Sequence, residues 1–272
     1  MKQDLTGAMP TLYIPHGGGP CFFMDWTLGP ADTWDKMEGW LRGLAASLPR
    51  RPKAIVVFSA HWEENKVGIT SGSAPPLIYD YYGFPPHTYE LTYPAPGEPA
   101  LAGKILGLLD EAGISGYLDS KRGFDHGVFI PFLLIYPEAD VPIVQVSLKS
   151  SLDATEHLAL GAALKPLRDD DFLLVGSGMS FHNMDILMRG GDAHQSSEQF
   201  DAWLIEACEA AAPERNRALG DWQSAPAARQ AHPREEHLLP LMVIAGAAGE
   251  DRGKLIYSDR VLGATVSAFL FG

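Results

Sequence analysis

Three hydrophobic runs in this chain each lead to a histidine at the point where a buried strand should stop. They are Leu12-Tyr-Ile-Pro-His16, Ile55-Val-Val-Phe-Ser-Ala-His61 and Phe172-Leu-Leu-Val-Gly-Ser-Gly-Met-Ser-Phe-His182. In an open parallel α/β sheet the carboxyl ends of the strands line one crevice, and ligands bind there. Three imidazoles delivered to one rim from distant parts of the chain suit a metal centre with an acid/base beside it. One strand-end histidine is more often a hydrogen-bonded structural group; three together favour a site.

The individual contexts refine this. His16 stands in Pro15-His-Gly-Gly-Gly-Pro20, where glycines let the backbone turn sharply and approach a ligand. His61 precedes Trp62 on the same rim, and both histidines read as ligands. His126, in Arg122-Gly-Phe-Asp-His-Gly127, is expected in a tight turn made by Asp125 and the glycines, either as a pocket donor or as a structural group. The glycine-rich break before His182 lacks the Gly-Lys-Ser/Thr of a phosphate loop, so His182 reads as an acid/base. His237 opens an apolar helix, with Glu235 and Glu236 beside it offering carboxylate ligands. A helix N-terminus attracts acids for electrostatic reasons alone, so those two also have a simpler explanation. His87, His157, His194 and His232 lie in polar or loop surroundings, and His157 and His194 are expected at the surface. Imidazoles with an optional carboxylate suit Zn(II) or non-haem Fe(II), and spacing does not choose between them. No His-Glu-x-x-His, Gly-x-Ser-x-Gly or Gly-x-Gly-x-x-Gly occurs, which disfavours a zincin, a serine hydrolase and a nicotinamide enzyme.

These side chains need a scaffold. Strands are expected at 11–15, 54–60, 67–71, 142–148, 172–176, 254–258 and 264–271. Several are unbroken Val/Ile/Leu runs, the pattern of strands buried on both faces. The run at 67–71 alternates more and is expected at an edge. Helical spacing appears at 31–48, 98–112, 152–167, 196–212 and 235–248. Strand and helix signals alternate, so the expected fold is one α/β domain over residues 1–272, a mostly parallel sheet flanked by helices with the site at the strand ends. Two irregular stretches interrupt the pattern. Residues 73–99 are dense in Pro, Tyr and Gly and are expected to form an ordered loop walling a pocket; residues 213–233 are expected to be irregular and mobile.

Bulk properties narrow the partners. The 272 residues carry a net charge of −13, which argues against nucleic acid and anionic membrane. Cys21 and Cys208 form no CxxC pair and read as reduced thiols of a cytoplasmic protein. The polar N-terminus has no signal-peptide pattern, and no apolar run reaches the length of a membrane span. Oligomeric state is not written in the sequence, and a homo-oligomer is compatible with it.

Taken together, Pro15-His-Gly-Gly-Gly-Pro, Ser59-Ala-His-Trp, Tyr81-Tyr-Gly-Phe-Pro, Phe124-Asp-His-Gly, Gly176-Ser-Gly-Met-Ser-Phe-His-Asn and Glu236-His-Leu-Leu-Pro-Leu resemble the class III extradiol ring-cleavage dioxygenases. The match is to the DOPA 4,5-dioxygenase-like branch, related to the catalytic subunit of protocatechuate 4,5-dioxygenase. The motifs fall in family order over about residues 11 to 245. The resemblance implies His16, His61 and His237 as metal ligands, with Glu236 as an alternative ligand or supporting partner. It implies His182 as acid/base, His126 as a second catalytic histidine, and Asp125, Tyr81 and Phe84 in the substrate pocket. It further implies Fe(II) for activity, with Zn(II) able to occupy the site, and a catechol-type substrate opened with O2. DOPA, protocatechuate-like acids, gallates and larger lignin-derived catechols all fit the sequence. Lys121 or Arg122 could meet a substrate carboxylate, although surface charge explains them as well. The rival readings are a zinc hydrolase built on the same histidines and a non-enzymatic binding protein of the same fold.

Overall fold

In the computed structural model, which describes residues 7–189 and 193–272, one eight-stranded sheet organises the chain. Its strands are β1 (Thr11–Pro15), β2 (Ala54–Glu64), β3 (Val67–Thr70), β4 (Gly116–Asp119), β5 (Ile143–Lys149), β6 (Phe172–Gly178), β7 (Gly253–Val261) and β8 (Ala264–Phe271). The order is β4-β3-β5-β2-β6-β1-β8-β7. The central strands β5, β2, β6 and β1 run parallel, as do β3 and β4, while β3–β5, β1–β8 and β8–β7 are antiparallel.

The helices are α1 (Asp35–Ser47), α2 (Pro99–Glu111), α3 (His126–Ile135), α4 (Ala154–Leu164), α5 (Met184–Arg189), α6 (Ala193–Glu209), α7 (Ala212–Gly220), α8 (Ala228–Ala231) and α9 (Leu239–Ala247). Alternate residues of the central strands feed two separate cores. Tyr13, Val56, Phe58, Val144 and Leu174 pack with α2, α4, α6 and α9. Leu12, Ile14, Ile55, Val57 and Val175 pack with α1 and α3. Burial on both faces is what the unbroken apolar runs require.

Four expectations need correction. β3 is not an edge strand: the short and partly exposed β4, which the sequence did not suggest, covers it. β2 does not stop before His61 but continues to Glu64, and its pairing with β5 shifts register between Phe58 and Glu63. An irregularity of this kind re-aims side chains without ending the strand. The tight turn expected at His126 is the start of α3, with Asp125 at its N-cap. The stretch 213–233, expected to be irregular, carries α7 and α8, and Arg215 within it is fully buried. The 73–99 stretch is the long irregular loop foreseen, apart from one 3-10 turn at Pro86–Glu90. Among the described residues no helix is long and apolar enough to cross a membrane.

Candidate metal centre

β2, β6 and β1 are adjacent and parallel, so their carboxyl ends share one rim. His16 directly follows β1, and His61 lies in the register-shifted end of β2. His237 arrives from the turn that opens α9. Its carbonyl accepts from Tyr13 Oη at 2.7 Å and from the Met179 amide at 3.2 Å. That approach requires Gly178, because a Cβ there would lie 2.1 Å from the His237 carbonyl oxygen. At Gly17, φ is +83° and a Cβ would meet Cys21 Sγ at 2.6 Å, so only glycine takes the turn after His16.

The three imidazoles converge. Their ligand-capable nitrogens lie within 4.8 Å of one another, and His16 Nε2 faces His61 Nε2 at 3.1 Å. Two of the rings are oriented from behind. Ser177 Oγ donates to the Gly127 carbonyl, so it accepts from His16 Nδ1 at 3.0 Å. Glu236 Oε1 accepts from His237 Nδ1 at 2.9 Å, and Asp80 Oδ2 lies 3.8 Å from His61 Nδ1. With Nδ1 donating to Ser177 and to Glu236, His16 and His237 each present an Nε2 lone pair forward, while the His61–Asp80 separation is too long for a hydrogen bond.

All three histidines are held well below the usual imidazole range. Burial is the main cause, and neighbouring imidazoles add to it: His61 on His16, His126 on His61 and His182 on His237. Neutral imidazole is the form that binds metal. Three imidazoles converge within 4.8 Å and none of them favours the protonated form. The donor set therefore fits a divalent transition metal.

Two further histidines flank this group. His126 stands 3.9 Å from His61, ring centre to ring centre, and Asp80 Oδ1 accepts from both its Nδ1 at 2.8 Å and its backbone amide at 2.9 Å. Burial would raise the Asp80 carboxyl, but the His126 hydrogen bond and the nearby imidazoles outweigh it, so the group lies below its ordinary value. His182 stacks on His237 with ring centres 3.4 Å apart, its Nδ1 3.3 Å from Glu236 Oε1. Glu236 thus sits behind both rings; the His182 contact overcomes the burial that would raise its carboxyl and leaves it ionised more readily than usual.

Above the histidines is a cavity of about 300 Å³. Tyr81 and Phe84 line it from the 73–99 loop, as expected, joined by Trp26, Trp34, Met179, Leu187 and Leu262, which the sequence did not single out. Asp125 is not part of this lining. It is fully buried, held by Ser59 and Gln145, and burial pushes its carboxyl up. Ser59 in turn accepts from the His61 amide at 3.2 Å, so Asp125 braces the β2 end rather than facing a ligand. Arg122 is 3.3 Å from Asp125 and lies over the Trp62 ring, and neither it nor Lys121 reaches the cavity. Asp80 and Ser177 escaped sequence reasoning. The signal for Asp80 was a single acid amid the tyrosines of an ordered loop; for Ser177 it was a hydroxyl between two glycines at a strand end.

His194 is half exposed, as expected, but His157 and His232 are fully buried. His157 accepts from the Lys149 amide and donates to the Asp153 carbonyl, which makes it part of the β5–α4 connection.

Clustered neutral imidazoles at parallel strand ends, opening into an aromatic-walled cavity, define a metal-dependent α/β enzyme. The family model described as the catalytic LigB subunit of aromatic ring-opening dioxygenase matches residues 11–269. The chain is 39% identical to a protein named 4,5-DOPA dioxygenase extradiol from Beta vulgaris, over 92% of this chain and 91% of that one. It is 37% identical to "Dioxygenase tasH" of Hapsidospora irregularis, with 98% and 86% covered. A solved structure of an uncharacterized Escherichia coli K12 protein, JW3007, superposes with a TM-score of 0.77 at 30% identity, covering 97% of this chain and all of that one. The chain belongs to the class III extradiol ring-cleavage dioxygenases.

Proposed function

We propose that the protein is an Fe(II)-dependent dioxygenase that opens the ring of a catechol-type substrate beside the diol. The observation that carries this reading is the convergence of His16, His61 and His237, with Nδ1 of His16 and of His237 anchored by side chains. In it these three hold the metal, and Glu236 orients His237 rather than replacing it. Bound Fe(II) would supply the charge that favours an ionised diol and the redox capacity that dioxygen chemistry needs.

The chain's own groups do the rest. His182, with Nδ1 against Glu236, keeps Nε2 free to accept a proton from a diol hydroxyl. His126, with Nδ1 fixed by Asp80, keeps Nε2 to contact substrate or return a proton. Tyr81, Phe84 and Trp34 pack the ring and exclude water. Two buried free thiols and a strongly acidic surface suit a cytoplasmic enzyme without nucleic-acid partners.

The test is anaerobic Fe(II) reconstitution, then oxygen uptake with a catechol panel. The expected result is stoichiometric uptake with a yellow ring-opened product. Zn(II) in a purified sample would not count against iron, since the same nitrogens bind both. His182→Ala should keep metal and lose about 10²–10⁴ in kcat. No uptake with any catechol overturns the proposal, and normal turnover by His182→Ala overturns the role given to that residue.

A further inference from the structure

The cavity over the histidines has two unlike ends. At one end stand the five histidines, and the indole N–H groups of Trp26 and Trp34, buried without a hydrogen-bond partner, are the other ring nitrogens in the described lining. Away from them the described lining is apolar or aromatic: Trp34, Tyr81, Phe84, Met179, Leu187 and Leu262 among others. No Lys, Arg, Asp or Glu is among the described lining residues. The mouth continues this character. Leu28 (55% exposed), Tyr82 (90%), Met184 (48%) and Met188 (49%) all line it, and they are four of the five large apolar side chains exposed among the described residues. Exposed apolar groups gathered at one opening mark a binding surface.

Among the described residues, Arg122 and Arg234 are already committed elsewhere. Arg122 pairs with Asp125, and Arg234 makes a two-pronged pair with Glu63 at 2.5 and 2.6 Å. Next to the mouth is an outer recess of about 510 Å³ that shares Leu28, Leu187 and Leu262 with the cavity. Its acids Asp32, Asp35 and Asp259 outnumber Lys36 and Arg260, and these two cations are paired with Asp259 and Glu198. A substrate carboxylate would therefore lose its water without gaining a counter-charge, and it would face acids further out.

We propose that the ring carries a bulky uncharged substituent, an alkyl or aryl chain para to one hydroxyl, which runs along Trp34, Leu187 and Leu262 to the mouth. This rests on the ring-cleavage reading: the diol goes to the histidines and the chain takes the opposite wall. Burial of a lengthening chain against those side chains provides the selectivity.

The test is a para-alkyl series from methylcatechol to butylcatechol, set against dihydroxybenzoate and dihydroxyphenylpropionate. Oxygen uptake is followed with the Fe(II)-loaded enzyme. Binding is followed separately by tryptophan fluorescence of the metal-free protein without oxygen, since Trp26 and Trp34 line the cavity. Expected is a gain of roughly fourfold per added methylene in both kcat/KM and affinity, the transfer free energy of one CH2. Propylcatechol should outperform dihydroxyphenylpropionate, its closest charged analogue, at least about tenfold. Met184→Lys, at an exposed rim position that tolerates charge, should shift the preference toward the acid about tenfold. Uptake with a flat series, or with the acid preferred by the unaltered protein, overturns this inference alone. A preference unmoved by Met184→Lys removes the rim contact on which it stands. Absence of uptake with every catechol overturns the ring-cleavage reading instead.

Discussion

Two sets of histidines differ chiefly in their partners. His16, His61 and His237 form the candidate centre; His157 and His232 lie in the scaffold. All five are pushed below the ordinary imidazole range, with burial the main cause, so the direction of that shift does not tell the sets apart. The partners do. His157 uses both nitrogens on backbone groups of its own neighbourhood, and His232 donates Nε2–H to the Ser180 carbonyl at 3.0 Å. In the centre, side chains hold Nδ1 of His16 and His237, and Nε2 of His16 faces Nε2 of His61. Ring nitrogens aimed at one another are the donor set of a candidate cation site.

The sharpest break in this comparison is His61→Ala. Losing one of three convergent nitrogens is expected to cut Fe(II) or Zn(II) affinity on the order of a thousandfold, about 4 kcal/mol at 1.36 kcal/mol per decade. The fold should survive, because the side chain is partly exposed at the cavity. A competition titration with a chromogenic chelator, beside circular dichroism, reads both. Unchanged affinity would remove His61 from the centre.

His157→Leu should do the reverse. It strands the Lys149 amide and the Asp153 carbonyl, at a cost of about 1–3 kcal/mol in unfolding free energy. Metal affinity should not move. Urea unfolding and the same titration distinguish the sets, and lost metal affinity in this variant would merge them.

His232 adds a pH signature. Burial lowers it to about 3 from 6.5, so the unfolded chain takes up a proton that the folded protein refuses. Stability therefore rises with pH across that window and falls as pH drops below about 6.5. Between pH 6.5 and pH 5 this one group costs about 1.6 kcal/mol. His232→Gln keeps a donor for Ser180 and removes the titration, so its stability should fall about 1.6 kcal/mol less over that interval. Parallel curves for the two proteins would show that the buried His232 is not the source.

The difference between the sets also explains what could be seen in the sequence. β1 was legible to the residue, because an apolar run between polar stretches has few alternatives, and the strand-end position of His16 came with it. α3 was not, since His126–Ile135 is apolar all round, contains Pro131 and is buried on nearly every side, leaving no polar face to mark a helix. α7 was hidden for the opposite reason. Arg215 looks like a surface residue, yet its guanidinium is buried and donates to the carbonyls of Ala245 and Gly249. His157 was misjudged the same way: a polar residue on a helix reads as solvent-facing unless its backbone partners, which are set by tertiary structure, are known. His16 and His61 stood out because strand ends concentrate ligands, whereas His237, at the opening of a helix, was singled out as a ligand only by the family resemblance. Their supporting groups, Asp80 and Ser177, were missed because support is defined by contact and not by spacing.

Ser177→Ala probes that support with the smallest change. The hydroxyl links two elements: it donates to the Gly127 carbonyl at the start of α3 and accepts from His16 Nδ1. Without it, His16 keeps its position at the end of β1 but loses the acceptor that fixes its proton on Nδ1. The ring can then carry the proton on Nε2, the nitrogen that faces His61, and each metal-binding event must first move it back. Supporting partners of metal-bound histidines are worth about 10–100-fold in affinity. The lower end, about tenfold, is expected here, because His16 is fully buried and its ring remains packed. Ser177→Thr should restore most of the loss if the larger side chain fits, since the hydroxyl is what matters. An affinity unchanged in Ser177→Ala would mean that packing alone orients His16, and the distinction between backbone-held and side-chain-held histidines would lose its force at that position.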